Sequence, residues 1–568
     1  VPALPRILAL ATCVAALVGC RDEPPPLTPP TPRPRAPRVE GAEAGVERTA
    51  APAAAVEAGA AAPDRDREPN DGPAEAIALR PGVVAPGLVD APADPTQGDE
   101  DWYRLDVPEG GPALVSVTLS GADDLDLVLE WMEPTGGAKA KARVQADVRE
   151  RAPGPERLPA LRVEPGPMYL RVREGWYRGK PRTGSALPYS LRAELSAWTP
   201  GVEAEPDDTV ADAVPLALGA AGRGTLGHLG DRDVWRVTLG DDSAGGRARV
   251  TVSGVAGVTL GVSLAFAGQS GALLSGSGPD GGGVTVRNLG LPRDGVPELF
   301  VTVRAEVGAA PDAPYDLLVA LEDATTERVE REPNDGSATA TPLGEPGRVI
   351  GHIDRPGDTD TFVLVVDRAA TLQATLEAPL GVDLGLELRG PDDDGRARID
   401  EAQAGQAEIL RGYGVGPGTW TLVVRGAKGT FDAVAPYALD LVLGDGGADE
   451  TEPNDDRDAG GVQALELGLE RQGWIHPRGD SDYWRLDLSG REEGTIVTVR
   501  ARPAADVPLD VALHGPDGAR MSGRDGLPPG EDATFTQFLS PGIYHVRVSS
   551  PRSDAANPRD AYKLTVLE

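Results

Sequence analysis

Glu68-Pro69-Asn70-Asp71 returns as Glu205-Pro206-Asp207-Asp208, as Glu332-Pro333-Asn334-Asp335 and as Glu452-Pro453-Asn454-Asp455. About thirty residues after each copy stands a second acidic stretch. These are Gly98-Asp99-Glu100-Asp101-Trp102, Gly230-Asp231-Arg232-Asp233-Val234-Trp235, Gly357-Asp358-Thr359-Asp360-Thr361-Phe362 and Gly479-Asp480-Ser481-Asp482-Tyr483-Trp484. The copies start at residues 68, 205, 332 and 452, so they lie 120 to 137 residues apart. That interval is too long for a solenoid repeat and right for an independent domain.

Short runs between these stretches alternate apolar and polar residues. In the first interval they are Val115-Ser116-Val117-Thr118-Leu119, Leu125-Asp126-Leu127-Val128-Leu129, 167–172 and Tyr189-Ser190-Leu191-Arg192-Ala193. Period-two alternation bounded by turn residues marks half-buried strands. The later intervals keep the order, at 258–262, 299–303 and 315–319, then 382–386, 418–424 and 437–441, then 509–513, 542–548 and 562–566. The fold read from this is all-β: four tandem antiparallel β-sandwich (jelly-roll-like) domains over 64–198, 199–325, 326–446 and 447–568. Each final strand is expected to open on a tyrosine, its ring packed inward and its hydroxyl reaching a partner.

Composition agrees with short strands and many turns: 72 glycines, 54 prolines and 4 % aromatics. There are 89 acidic against 55 basic side chains, a net charge of −34. A nucleic-acid partner is excluded, because phosphate neutralisation needs a basic surface. Both cysteines, Cys13 and Cys20, precede the repeats, which therefore hold no disulfide, thiolate metal site or cysteine nucleophile. No His-Glu-x-x-His, Gly-x-Ser-x-Gly or phosphate loop occurs, and the chain is read as a non-enzyme.

Residues 1–19 read as a signal peptide, with Arg6 before an apolar run at 7–18 that is too short to span a membrane. The run ends Leu17-Val18-Gly19-Cys20, which resembles the bacterial lipoprotein signal. That resemblance implies a lipid on Cys20 and a membrane anchor that does not span. Arg21 follows, not the aspartate tied to inner-membrane retention in some bacteria, so the outer membrane is expected, on a face left open. Residues 20–63, rich in proline and then alanine, read as a disordered spacer.

Five blocks in one order carry a further resemblance: Glu-Pro-Asn-Asp, Gly-Asp-x-Asp-aromatic, Leu-Asp-Leu, Gly-x-Tyr-x-x-Val and Tyr-x-Leu. Together they resemble the bacterial pre-peptidase C-terminal domain, a family of domains attached to secreted proteases and similar to the collagen-binding domains of bacterial collagenases. The resemblance covers about residues 64–568. The second repeat departs most, with Asp207 for asparagine, Thr259 for the strand aspartate and a Gly/Ser-rich insertion near 268–283.

The acidic stretches offer hard oxygen ligands, and calcium takes six to eight of these. The first arm supplies Asp66, Glu68 and Asn70, then Glu203, Glu205 and Asp207, then Glu330, Glu332 and Asn334, then Glu450, Glu452 and Asn454. The second supplies Asp99 and Asp101, Asp231 and Asp233, Asp358 and Asp360, and Asp480 and Asp482. In extended chain, residues i and i+2 point to the same side, so two converging arms could complete a shell. The resemblance implies the same: acidic residues of these two stretches bind calcium in related domains, up to one ion per repeat. The alternative reading is turn chemistry alone, with Asp71 and its equivalents as turn caps. His228, His352 and His476 precede the second stretch and are read as strand-end packing; Trp102, Trp235 and Trp484 are read as core. Arg478-Gly479-Asp480 is read as a by-product of the repeat.

The expected function is that of a non-catalytic cell-envelope lipoprotein whose tandem domains bind an extracellular or envelope protein or polysaccharide. The competing expectation is a passive spacer or stabilising scaffold of an envelope or secreted-protease complex.

Overall fold

The computed structural model describes residues 66–91, 98–133, 141–146, 154–175, 184–227, 231–293, 297–447, 449–459 and 461–568. The signal peptide, Cys20, the 20–63 spacer and His228 lie outside the described residues. No helix among the described residues is long and apolar enough to cross a membrane.

The described residues of the first domain form nine strands: β1 (Ile77–Leu79), β2 (Val84–Gly87), β3 (Glu100–Val107), β4 (Ala113–Gly121), β5 (Leu127–Met132), β6 (Ala142–Ala146), β7 (Glu156–Val163), β8 (Gly166–Glu174) and β9 (Tyr189–Ala197). They form two sheets, ordered β1-β3-β8-β5-β6 and β2-β9-β4-β7. The same two orders recur in the other three domains, so the described chain is four β-sandwiches in tandem. The expected alternation is visible in β4, where Val115, Val117 and Leu119 are buried and Ser116 and Thr118 are half-buried. Large aromatics from the β3 position, Tyr103, Trp235, Phe362 and Trp484, are wholly inaccessible to solvent and sit at the centre of the cores.

Two details differ from the sequence reading. The pairing is not purely antiparallel: β1 runs parallel to β3, and Val214–Ala217 runs parallel to Arg232–Thr238 in the same way. In the second domain the final strand runs from Ala310 to Leu321, starting five residues before Tyr315, because it also pairs with Leu226.

The joints between domains repeat as well. In the four-stranded sheet, β7 is an edge strand. An open edge invites pairing, and the next domain's first acidic arm supplies it. Glu205 N–H donates to Ala160 O (2.7 Å), and Arg162 N–H donates to Glu205 O (3.0 Å). At the next joint, Glu332 N–H donates to Asn288 O (3.0 Å) and Gly290 N–H to Glu332 O (2.8 Å). At the third, Glu452 N–H donates to Gly412 O (2.9 Å) and Gly414 N–H to Glu452 O (2.7 Å). Two residues earlier the arm turns to its own domain: Glu203, Glu330 and Glu450 donate their N–H groups to Arg223 O, Ile350 O and Gln472 O. In the last three arms the first glutamate is thus stitched to its own sandwich and the second to the preceding one.

Candidate metal centre

The two arms are joined by one recurring backbone bond. The residue after the second aspartate donates its N–H to the carbonyl of the arm's third ligand candidate: Trp102 to Asn70 (3.0 Å), Val234 to Asp207 (3.1 Å), Thr361 to Asn334 (3.0 Å) and Tyr483 to Asn454 (3.0 Å). This brings the carboxylates together. Oxygens lie within 4.8 Å of one another in the groups Asp66/Glu68/Asp101, Glu203/Glu205/Asp207, Glu332/Asp358/Asp360 and Glu450/Glu452/Asp482. A further group, Glu68/Asp71/Asp99, lies in the first domain. In the second domain Asp231 and Asp233 are buried but fall outside the three-residue group. Glu330, Asp480 and the Asn70, Asn334 and Asn454 side chains are buried beside their groups. The fourth motif residues, Asp71, Asp208, Asp335 and Asp455, are exposed.

The surroundings of these oxygens decide what they can hold. In the second domain Glu203 Oε2 accepts from Thr225 N–H (3.2 Å), and Asp231 Oδ2 accepts from Gly227 N–H (2.6 Å). Glu205 Oε2, Asp233 Oδ1 and both oxygens of Asp207 are buried with no hydrogen-bond partner. In the fourth domain Glu450 Oε1 accepts from Trp474 N–H and Glu452 Oε2 from Asn454 N–H, both at 2.9 Å. Glu450 Oε2, Glu452 Oε1, Asn454 Oδ1 and both oxygens of Asp482 have no such partner. A buried carboxylate oxygen without donor or cation costs several kcal/mol, of the order of ~1–3 for each lost hydrogen bond and more where charged. A divalent ion bound by these oxygens removes that cost, so the donor sets of the second and fourth domains fit a hard cation. The first domain offers a more open set, with Asp66 half-buried, Glu68 exposed, and Asp101 Oδ1 and Asn70 Oδ1 buried and unpartnered.

Proton affinity reports the same crowding. Burial, reinforced by Asp231, pushes Glu203 up to about 8 and Glu205 up to about 9. Burial and then Glu203 push Asp207 up to about 11. In the fourth domain burial and then Asp482 push Asp480 up to about 11. Glu68 of the first domain, although largely exposed, rises to about 7 through partial desolvation and then Asp99.

The third domain is different. Arg355 is 3 % exposed and its guanidinium stands inside the acidic group. Glu332 Oε1, the one unpartnered carboxylate oxygen recorded there among the described residues, lies 3.5 Å from Arg355 Nη1. The sequence reading missed this cation.

It also missed how the site is tied to the core. The Tyr189, Tyr315 and Tyr437 hydroxyls donate to Asp101, Asp233 and Asp360 at 2.6, 2.5 and 2.6 Å. Trp235 Nε1–H and Trp484 Nε1–H in turn donate to the Tyr315 and Tyr562 hydroxyls, each at 2.8 Å. Opposite each tyrosine, as its cross-strand partner, stands a glycine: Gly87, Gly224, Gly351 or Gly473. A Cβ built on Gly224 would stand 2.5 Å from the Tyr315 hydroxyl oxygen, and its three equivalents would be closer still. A sequence signal existed: in the last three repeats this glycine falls seven residues before the first aspartate.

The histidines belong to the joints. His352 and Asn288 of the preceding domain meet at 3.3 Å, and His476 Nε2 meets Ile409 O at 2.5 Å. Neither is in an acidic group. Asp480 is buried and the Arg478 side chain is held by Glu401 O (3.0 Å), so Arg478-Gly479-Asp480 is not displayed as a free tripeptide. Trp102, Trp235 and Trp484 are buried. A groove of about 440 Å³ runs between the first two domains, with Arg143 stacked 4.4 Å over Trp131, Arg162 stacked 4.5 Å over Trp198, and Glu205 on its wall.

No family model matches the chain, and no curated protein matches it. Solved structures do. A pre-peptidase C-terminal domain of collagenase from Bacillus anthracis matches at 17 % identity, covering 21 % of this chain and 100 % of its own, with a TM-score of 0.16. The chain is similar to that domain over about one repeat's length. The BSP domain of a biofilm-associated protein matches at 9 % identity over 85 % of this chain and 95 % of its own, with a TM-score of 0.12. An α-L-rhamnosidase from Streptomyces avermitilis, solved with L-rhamnose, matches at 14 % identity over 81 % of this chain and 55 % of its own, with a TM-score of 0.13.

Proposed function

We propose that this protein is a non-catalytic binding protein of the bacterial cell envelope, lipid-anchored at Cys20 in the outer membrane, whose sandwich domains are locked by calcium and bind an extracellular or envelope protein or polysaccharide. The observation that carries the calcium part is the set of buried, unpartnered carboxylate oxygens at Glu205, Asp207, Glu450, Glu452 and Asp482. In the second and fourth domains these oxygens lie where the domain meets the one before it. Ions bound there would therefore stiffen the row of domains and hold weak binding surfaces in series, where avidity can act. The Arg/Trp-lined groove beside Glu205 is a surface of that kind.

A second reading, a passive spacer, is favoured by the joints themselves, since at each of the three the arm's second glutamate bridges the preceding domain's edge strand without any ligand. The two readings part on one measurement. Calcium-loaded full-length protein, used as bait on envelope extracts and isolated polysaccharides, retains one dominant ligand if it is a binder, and loses it with chelator. Retention of nothing above background supports the spacer.

Calcium binding itself is tested by calorimetry and thermal melting. At about a hundredfold the dissociation constant, one site adds about 2.7 kcal/mol. For a domain of this size that is a rise of roughly 10 °C in melting temperature. Saturable heat from at least two ions is expected; no heat and no shift would sink the calcium reading.

A further inference from the structure

We propose that the third domain carries its own cation: the Arg355 guanidinium takes the place of the divalent ion, so that this joint closes without metal. The inference rests on the calcium reading of the second and fourth domains.

Four carboxylates surround the one guanidinium. Nη1 lies 2.7 Å from Asp354 Oδ1 and 3.5 Å from Glu332 Oε1. Nη2 lies 2.8 Å from Asp358 Oδ1 and 3.5 Å from Asp335 Oδ1. Both oxygens of Asp358 are committed, Oδ2 to Asp354 N–H (2.7 Å) and Oδ1 to Thr359 N–H (3.1 Å) as well as to the arginine. Calcium would need these same oxygens at about 2.3–2.6 Å, with a fixed positive charge alongside it. Arginine suits the task because its planar fork stays charged when buried and can bond several carboxylates at once.

The preceding domain is shaped to admit this side chain. A Cβ on Gly276 would stand 2.7 Å from Arg355 Cδ, so the glycine leaves the space in which the arginine stem lies. Arg287 N–H, from the same preceding domain, donates to Asp354 Oδ2 (2.5 Å), and Asn288 Nδ2 donates to Glu330 Oε1 (2.9 Å). The guanidinium is therefore sealed at the seam between two domains. The position is specific to this repeat: three residues before the first aspartate stands Arg355 here, but Thr96, His228 and Pro477 in the first, second and fourth repeats. Among the described residues, no arginine or lysine pairs with Glu205, Asp207, Glu450 or Asp482 in the way that Arg355 pairs with Glu332 and Asp358.

The test compares calcium stoichiometry by calorimetry on the full chain, wild type against Arg355→Met, which keeps the stem and removes the charge. The variant is expected to bind one more ion than wild type. In chelator its third domain should melt lower than in wild type, and calcium should restore it. Asp358→Asn in the otherwise wild-type chain gives an independent readout: the number of bound ions should not change. Loss of one ion on Asp358→Asn, or an unchanged count in Arg355→Met, overturns the proposal while leaving calcium in the other domains intact. A wild type that binds no calcium beside an Arg355→Met that binds one ion upholds the arginine and overturns the calcium reading elsewhere. If neither chain binds calcium, both fall.

Discussion

Tyr315→Ala should unfold the second domain selectively, as a separate transition shifted far below those of the other three. Tyr315 is fully buried and lies on Gly224 at the centre of the second core. Removing a buried aromatic ring costs about 3–5 kcal/mol, a large share of the ~5–15 kcal/mol that holds a domain folded. Here the loss is compounded, because the ring's hydroxyl also bridges Trp235 Nε1–H and Asp233. Tyr315→Phe separates the two roles. It keeps the ring and leaves both partners buried without it, at about 1–3 kcal/mol. Gly224→Ala attacks the same contact from the opposite strand. Overpacking against an immovable ring is expected to cost about 1–3 kcal/mol. Calorimetric melting resolves the three variants. A Tyr315→Phe protein as unstable as Tyr315→Ala would mean that the hydroxyl network, not ring packing, dominates.

Stability without calcium should fall as pH rises from 5.5 to 8, and calcium should abolish that fall. In the folded second domain, burial and Asp231 raise Glu203 to about 8 and Glu205 to about 9, whereas free carboxylates titrate near ~4. Groups raised on folding stabilise below their unfolded pKa, and that contribution is lost as pH climbs through the folded value. Between the two values the native state holds a proton that the unfolded chain has released. One such proton gives a slope of about −1.4 kcal/mol per pH unit, or roughly 3 kcal/mol over this window. Calcium replaces the proton, so its stabilising effect should be small at pH 5.5 and large at pH 8. Melting curves at both pH values, with calcium and with chelator, check this. A calcium effect that does not grow with pH would place the ion away from these carboxylates.

The repeat structure explains how much was legible beforehand. Runs such as 115–119 and 189–193 were readable as strands because one face of each meets a core, and period two follows from the pleat. The arms Glu203-Ala204-Glu205 and Asp231-Arg232-Asp233 were readable as an acidic pair because their spacing recurs four times. Their burial was not readable. An acidic stretch rich in turn residues reads as surface, but in the last three domains the preceding domain's edge strand pairs with it. His352 and His476 were read as strand-end packing for the same reason, although their partners are Asn288 and Ile409 of the neighbouring domain.

Sequence alone determined that there are four similar β domains, a few of the strands that build each and which acids lie close in the chain, because these follow from local periodicity and from repetition. Only the tertiary structure decided that the last three arms are each shared between two sandwiches, that Asp207 and Asp482 lie buried with unpartnered oxygens, and that Arg355 already fills the third group. Those outcomes depend on which edge strand meets which arm and on how much water remains between them. Charge, spacing and hydropathy along one chain carry no record of that distance.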